Sequence, residues 1–133
     1  MSQSETTEYF EGLRLKILNN TEEEMVLQAQ KIEKGKYKKG HQSPEKVGPY
    51  EEKSCELIAC EGSCTGGADI EGWLKYGIGC EEGYCKLHFK YIGKMDKVSY
   101  SCECHMHEGK MVCETMKDKM SARNVAWIIG PKE

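Results

Sequence analysis

Hydrophobic and polar positions alternate along much of this chain, most clearly over Gly66–Ile92, GGADIEGWLKYGIGCEEGYCKLHFKYI. Strand side chains alternate with period two, so this segment predicts two strands folded back through the tight turn Glu82-Gly83. A two-residue hairpin there sets Cys80 opposite Cys85, Ile78 opposite Leu87, Tyr76 opposite Phe89 and Leu74 opposite Tyr91. All eight side chains then share one face, while Lys75, His88 and Lys90 occupy the other.

Similar patterns flank this hairpin. Tyr9–Leu18 alternates with Leu13, Leu15 and Ile17 on one face and reads as a first strand. Asn19-Asn20-Thr21 makes a turn, and it also fits a glycosylation sequon. Met25–Ile32 reads as a second strand with Met25, Leu27 and Ala29 inward. The same run fits a short helix capped at Thr21, although the preceding strand and turn favour a hairpin. Gly35–Pro49 is rich in Lys, Gly and Pro and reads as a solvated loop. Glu56–Ala59 makes a short strand before the Cys60–Gly67 turn cluster. Val98–Glu103 and Lys110–Glu114 form a second hairpin around Glu108-Gly109, and Val125–Ile129 is a buried closing strand. Short strands punctuated by Gly and Asn turns predict an all-β antiparallel sandwich, with a single domain over residues 1–133.

Composition narrows the function classes. The charged fraction is 31% and the formal net charge is −3, with both signs spread along the chain, so no basic surplus points to nucleic acid. No apolar stretch approaches the ~20 residues that span a bilayer. Met1–Phe10 is too polar for a signal peptide, so release by lysis, by another route or after loss of a leader is expected. Catalytic constellations are weak. Ser63 lacks a nucleophile elbow, Gly66-Gly67 has no helix behind it, and Cys64 near a histidine is a cheap coincidence among eight cysteines. No enzymatic activity, cofactor or small-molecule substrate is expected.

The eight cysteines invite disulfides. Counting outward from the two turns places Cys80 opposite Cys85 and Cys104 opposite Cys113, at close non-hydrogen-bonded positions about 4.5 Å apart. Cys55, Cys60, Cys64 and Cys102 would supply two more bridges, with their pairing open. Zinc held by Cys102, Cys104, His105 and His107 is the rival, but on a strand the cysteines and histidines point to opposite faces. Disulfides therefore fit better, and no metal is expected.

The order of elements resembles the aegerolysin family of small β-sandwich proteins, and most closely the small components of bacterial binary insecticidal toxins. The likeness rests on the strand-turn LRLKILNNT (Leu13–Thr21), on Gly35-Lys36-Tyr37, and on Asp69-Ile70-Glu71-Gly72-Trp73-Leu74-Lys75-Tyr76, which resembles a Gly-x-Glu-Gly-x-x-x-Tyr strand with Ala68 or Asp69 near the position of its first glycine. Leu87–Tyr91, Tyr100 and Val125–Ile129 complete it. The chain departs from the pattern at Lys90-Tyr91-Ile92-Gly93-Lys94, where relatives often carry Asp-Asn-Pro and a Gly-Ser-Asn turn, and in its many cysteines, which fit an oxidising, protease-rich setting.

The resemblance implies a secreted or released protein that recognises sphingolipid-type membranes at a target cell. It also implies a larger partner protein that completes a pore, in a cytolytic or insecticidal two-part system. Exposed aromatics at loop ends suit the headgroup region. Candidates are Tyr37, Tyr50, Trp73 and Tyr84, with Tyr9 and Phe10. Trp73 either meets lipid or covers a second layer of the core. The lysine-rich loop Lys34–Lys46 either touches anionic headgroups or is simply solvated. Two other classes remain: a secreted disulfide-rich inhibitor or effector that binds a host protein, and a zinc-binding cytosolic adaptor.

Overall fold

A computed structural model describes residues 12–59, 69–79, 83–93, 95, 97–106, 111–117 and 124–131. Within them lie β1 (Gly12–Asn19), β2 (Met25–Lys34), β3 (Lys36–Tyr37), β4 (Lys46–Val47), β5 (Glu52–Ile58), β6 (Ile70–Ile78), β7 (Gly83–Ile92), β8 (Lys97–Met106), β9 (Met111–Lys117) and β10 (Asn124–Pro131). One sheet has the order β3-β5-β1-β10-β9 and the other β4-β2-β6-β7-β8. Every pairing is antiparallel except β1 with β10, which run parallel at the middle of the first sheet. The fold is all-β, and the two sheets face each other as a sandwich.

Alternation dictates the core. Leu13, Leu15 and Ile17 of β1 and Val125, Trp127 and Ile129 of β10 point inward from one sheet and are buried. Ile70, Leu74, Tyr76 and Ile78 of β6 and Cys85, Leu87, Phe89 and Tyr91 of β7 answer from the other. Gly72 interrupts the inward row because the Phe89 ring lies opposite. A Cβ there would come within 3.0 Å of Phe89 Cζ and 2.4 Å of the Lys31 carbonyl oxygen. Trp127 joins the layers: its ring lies 6.4 Å from Phe89 and 6.5 Å from Tyr100, and its Nε1–H donates to the Ser101 carbonyl of the opposite sheet at 3.2 Å. Burying a ring of this size is worth several kcal/mol, so Trp127 is the main apolar anchor between the sheets.

Four expectations are corrected. The β6–β7 hairpin keeps its predicted face but slips in register: Tyr76 pairs with Cys85, Leu74 with Leu87 and Ile70 with Tyr91. The cause is Gly79, whose φ of 60° opens the turn early while its N–H donates to the Glu24 carbonyl. A slip by an even number of residues leaves the inward set unchanged. Cys80 falls outside the described residues.

Second, β8 and β9 are not a hairpin. β8 pairs with β7 and β9 with β10, so the chain crosses between sheets after Met106. Cys104 consequently lies opposite Cys85 rather than Cys113 and is disulfide-bonded to it, with Cα atoms 4.1 Å apart. Cys55, Cys102 and Cys113 are free thiols, while Cys60 and Cys64 lie outside the described residues.

Third, the register of β2 shifts between Leu27 and Ala29, which ends the simple alternation. Met25 is buried and Leu27 partly so, but Ala29 is exposed and Ile32 turns inward instead. Fourth, Gly35–Pro49 is not simply solvated, because β3 and β4 lie in it and Val47 is buried.

Candidate functional site

The outward side chains of β6, β7 and β8 form a small lattice set by strand register. Trp73, His88 and Ser101 make one row, Lys75, Lys86 and Glu103 the next, and Gly77, Tyr84 and His105 a third. Lys75 and Lys86 are thus directly opposed, which like charges avoid. Each leans away along a diagonal onto a ring. Lys86 Nζ sits 4.2 Å from the centre of Trp73, and Lys75 Nζ sits 4.4 Å from that of Tyr84. Such cation–π contacts at accessible sites are worth about 0.5–1 kcal/mol each, enough to choose a rotamer and too little to hold one against a better anion.

The third row extends the cluster. The Tyr84 and His105 rings lie 4.9 Å apart, and Glu103 reaches His105 Nε2 at 3.3 Å and His88 Nε2 at 3.8 Å. Gly77 matters here because the Gln28 amide lies over it; a Cβ would come within 2.2 Å of Gln28 Nε2. Beside Trp73 an open hollow of roughly 310 Å³ runs between Glu33, Glu71, His88, Lys90 and Ser101, with Gly72 and Phe89 in its floor. Half-buried rings, lysine ammonium groups and a shallow polar hollow are thereby gathered on one side of the sandwich. The face can hold an anionic group against the lysines while its rings meet something less polar.

Tyr50 stands elsewhere. The turn Gly48–Glu51 is closed by the Glu51 N–H donating to the Gly48 carbonyl at 3.1 Å, and the Glu51 carboxylate accepts from the Gly48 N–H at 2.7 Å. Pro49 and Tyr50 are its central residues, and Tyr50 has a φ of 56°. Proline followed by a left-handed residue is the signature of a type II turn, where glycine is the usual second residue. A tyrosine accepts the strain here and presents a ring that is 63% exposed.

Asn19 anchors this end of the sandwich. Its Nδ2 donates to the carbonyls of Glu23 (2.7 Å), Val47 (3.0 Å) and Gly48 (3.0 Å). Its Oδ1 accepts from the Thr21 N–H at 3.1 Å and the Thr21 hydroxyl at 2.7 Å. The sequon is therefore a structural turn, with its amide buried and fully engaged.

Tyr37 does not join the other candidates. It packs against the core, and its hydroxyl donates to the Gln30 side chain, bridging β3 of one sheet and β2 of the other. Burial pushes its phenol from 10.0 up to about 12. Two of the lysines in Lys34–Lys46 are also engaged, Lys34 with Asp69 at 3.8 Å and Lys38 with Glu56 at 3.8 Å. Tyr9 and Phe10 lie outside the described residues. The structure thus brings Trp73 and Tyr84 onto one face, puts Tyr50 at a loop tip and wires Tyr37 into the scaffold. Sequence reasoning missed Lys86 and His105, because their place beside the rings follows only from the true register.

No family model matches the chain, and no curated protein matches it in sequence. Its fold does have solved counterparts. A crystal structure of the lipid binding protein Nakanori superposes with a TM-score of 0.67 over 98% of this chain and 75% of that one, at 9% sequence identity. The two proteins share a fold. At that identity the likeness speaks for architecture, and function must be argued from the site.

Proposed function

We propose that this protein binds lipid membranes without enzymatic chemistry, using the Trp73–Tyr84 face of the second sheet together with the Tyr50 turn. The observation that carries the reading is the pairing of each half-buried ring with a lysine ammonium that can swing away from it. Lipid headgroups offer the matching chemistry: a phosphate for Lys75 and Lys86, and an amphipathic layer in which tryptophan and tyrosine rings are stable. Each lysine near an anionic surface would contribute about 1 kcal/mol. The fold shared with a protein described as lipid binding supports the same reading.

On the resemblance to aegerolysins, the lipid is of sphingolipid type. The protein then acts as the recognition component of a two-part cytolytic or insecticidal system, released from its producer and completed at the target membrane by a larger pore-forming protein. The test is co-sedimentation with liposomes of varied sphingolipid and sterol content, with entrapped dye. Retention on sphingolipid vesicles without dye release is the expected result. Release by the protein alone would remove the need for a partner, and no retention on any lipid would overturn the reading in favour of a protein or glycan target.

A further inference from the structure

The three free thiols among the described residues are not equivalent. Cys55 is buried in the middle of β5, where desolvation first and the neighbouring Glu56 carboxylate second push its thiol from 9.0 to about 12. Cys102 and Cys113 occupy a different kind of place. β8 is the edge strand of one sheet and β9 the edge strand of the other. Cys102 aligns with Leu87 and Cys113 with Ile129, both inward residues, so the two cysteines face each other across the interior at the open side of the sandwich. Each thiol enters the other's electrostatic surroundings through a side-chain hydrogen bond between them. Both are only partly buried, within reach of a small solute.

We propose that Cys102 and Cys113 form a further disulfide, one that joins the two sheets at the edge where no backbone ladder connects them. The Cys85–Cys104 bond cannot do this, because both its strands belong to the same sheet. A glutathione-type disulfide supplies the oxidant. The Cys102 thiolate attacks one sulfur of it, forms a mixed disulfide and expels one glutathione thiolate. Cys113 then loses its proton, attacks the Cys102 sulfur and expels the second. Two protein thiols are oxidised, one glutathione disulfide is reduced to two thiols, and the two protons pass to the departing glutathiones.

The order of attack follows from the surroundings. Burial raises both thiols, but the hydrogen bond between them partly offsets this at Cys102 and adds to it at Cys113. The bridge therefore forms slowly near neutrality and faster as pH rises. Once formed, it would hold β8, and with it Ser101, Glu103 and His105 of the candidate face, against β9.

Tryptic mapping of the full chain after incubation with oxidised glutathione tests the proposal. Cleavage after lysine places Cys80 and Cys85 together in peptide 76–86, Cys102 and Cys104 together in 98–110, and Cys113 in 111–117. The expected product joins all three peptides, with the intact mass lower by about 2 Da for each bridge. In Cys102→Ser, peptide 111–117 should be released with Cys113 alkylated while 76–86 and 98–110 stay joined. The proposal is overturned if wild-type peptide 111–117 is recovered alone, if it is joined to any peptide other than 98–110, or if its link survives in Cys102→Ser.

Discussion

Asn19 and Tyr50 show how much a single residue decides at the loop end of the sandwich. The Asn19 amide ties three carbonyls from two segments to its own turn. Replacing it by aspartate would aim a carboxylate at those carbonyls and remove every donor. Asn19→Asp should lower the unfolding free energy by roughly 3 kcal/mol, read from urea denaturation. Tyr50 carries the opposite signature, a strained backbone with an exposed ring. Tyr50→Gly relieves about 1 kcal/mol of left-handed strain and adds a similar entropic cost to folding. Its stability should match wild type within about 1 kcal/mol while retention on vesicles falls. Unchanged retention would show that the turn takes no part in binding. The Asn-Asn-Thr turn was legible in the sequence, because those residues make turns by themselves. The strained tyrosine was not, since nothing local announces a positive φ in Pro-Tyr.

Among the elements, alternation revealed the faces and concealed the registers. The β6–β7 hairpin was legible as a hairpin with Leu74, Tyr76, Leu87 and Phe89 inward, because period two fixes the face whatever the slip. Its register was set by Gly79 and the Glu24 carbonyl, a contact distant in sequence. That slip decided the chemistry. It freed Cys85 for Cys104 and set Lys75 against Lys86, which pushes each ammonium onto a ring. Closing the loop between residues 85 and 104 stabilises by about 3 kcal/mol in the chain-entropy model. Cys104→Ser should lower the unfolding free energy by that amount under oxidising conditions and by nothing in reductant. Equal stability of the two proteins when oxidised would mean that Cys85–Cys104 carries no constraint.

For the whole molecule, the all-β sandwich and its core residues could be read from pattern, while the sheet order could not. Glu108-Gly109 is a weaker hairpin signal than Asn-Gly or Asp-Gly, and β8 and β9 go to different sheets, β8 pairing with β7 and β9 with β10. Titration also acts at this scale. Burial raises Cys55 from 9.0 to about 12 and Tyr37 from 10.0 to about 12, and it raises Tyr76 as well, so folding holds all three protonated. A group whose folded pKa is raised contributes stability that is complete below its unfolded pKa and lost as pH climbs through the folded one. These groups should therefore leave the urea midpoint level up to about pH 9 and make it fall between about 9 and 12. Cys55→Val should soften the first part of that fall. A midpoint that stays level to pH 12 would contradict the burial of these groups.

The two tryptophans allow the membrane claim to be tested without a label, since Trp127 is fully buried and Trp73 lies half-exposed on the proposed binding face. The decisive measurement is tryptophan emission titrated with sphingolipid vesicles, for wild type and Trp73→Phe. A blue shift that saturates with lipid in wild type and is absent in Trp73→Phe is the predicted result. Vesicle binding with no change in emission, or the same shift in Trp73→Phe, would place the contact elsewhere on the molecule.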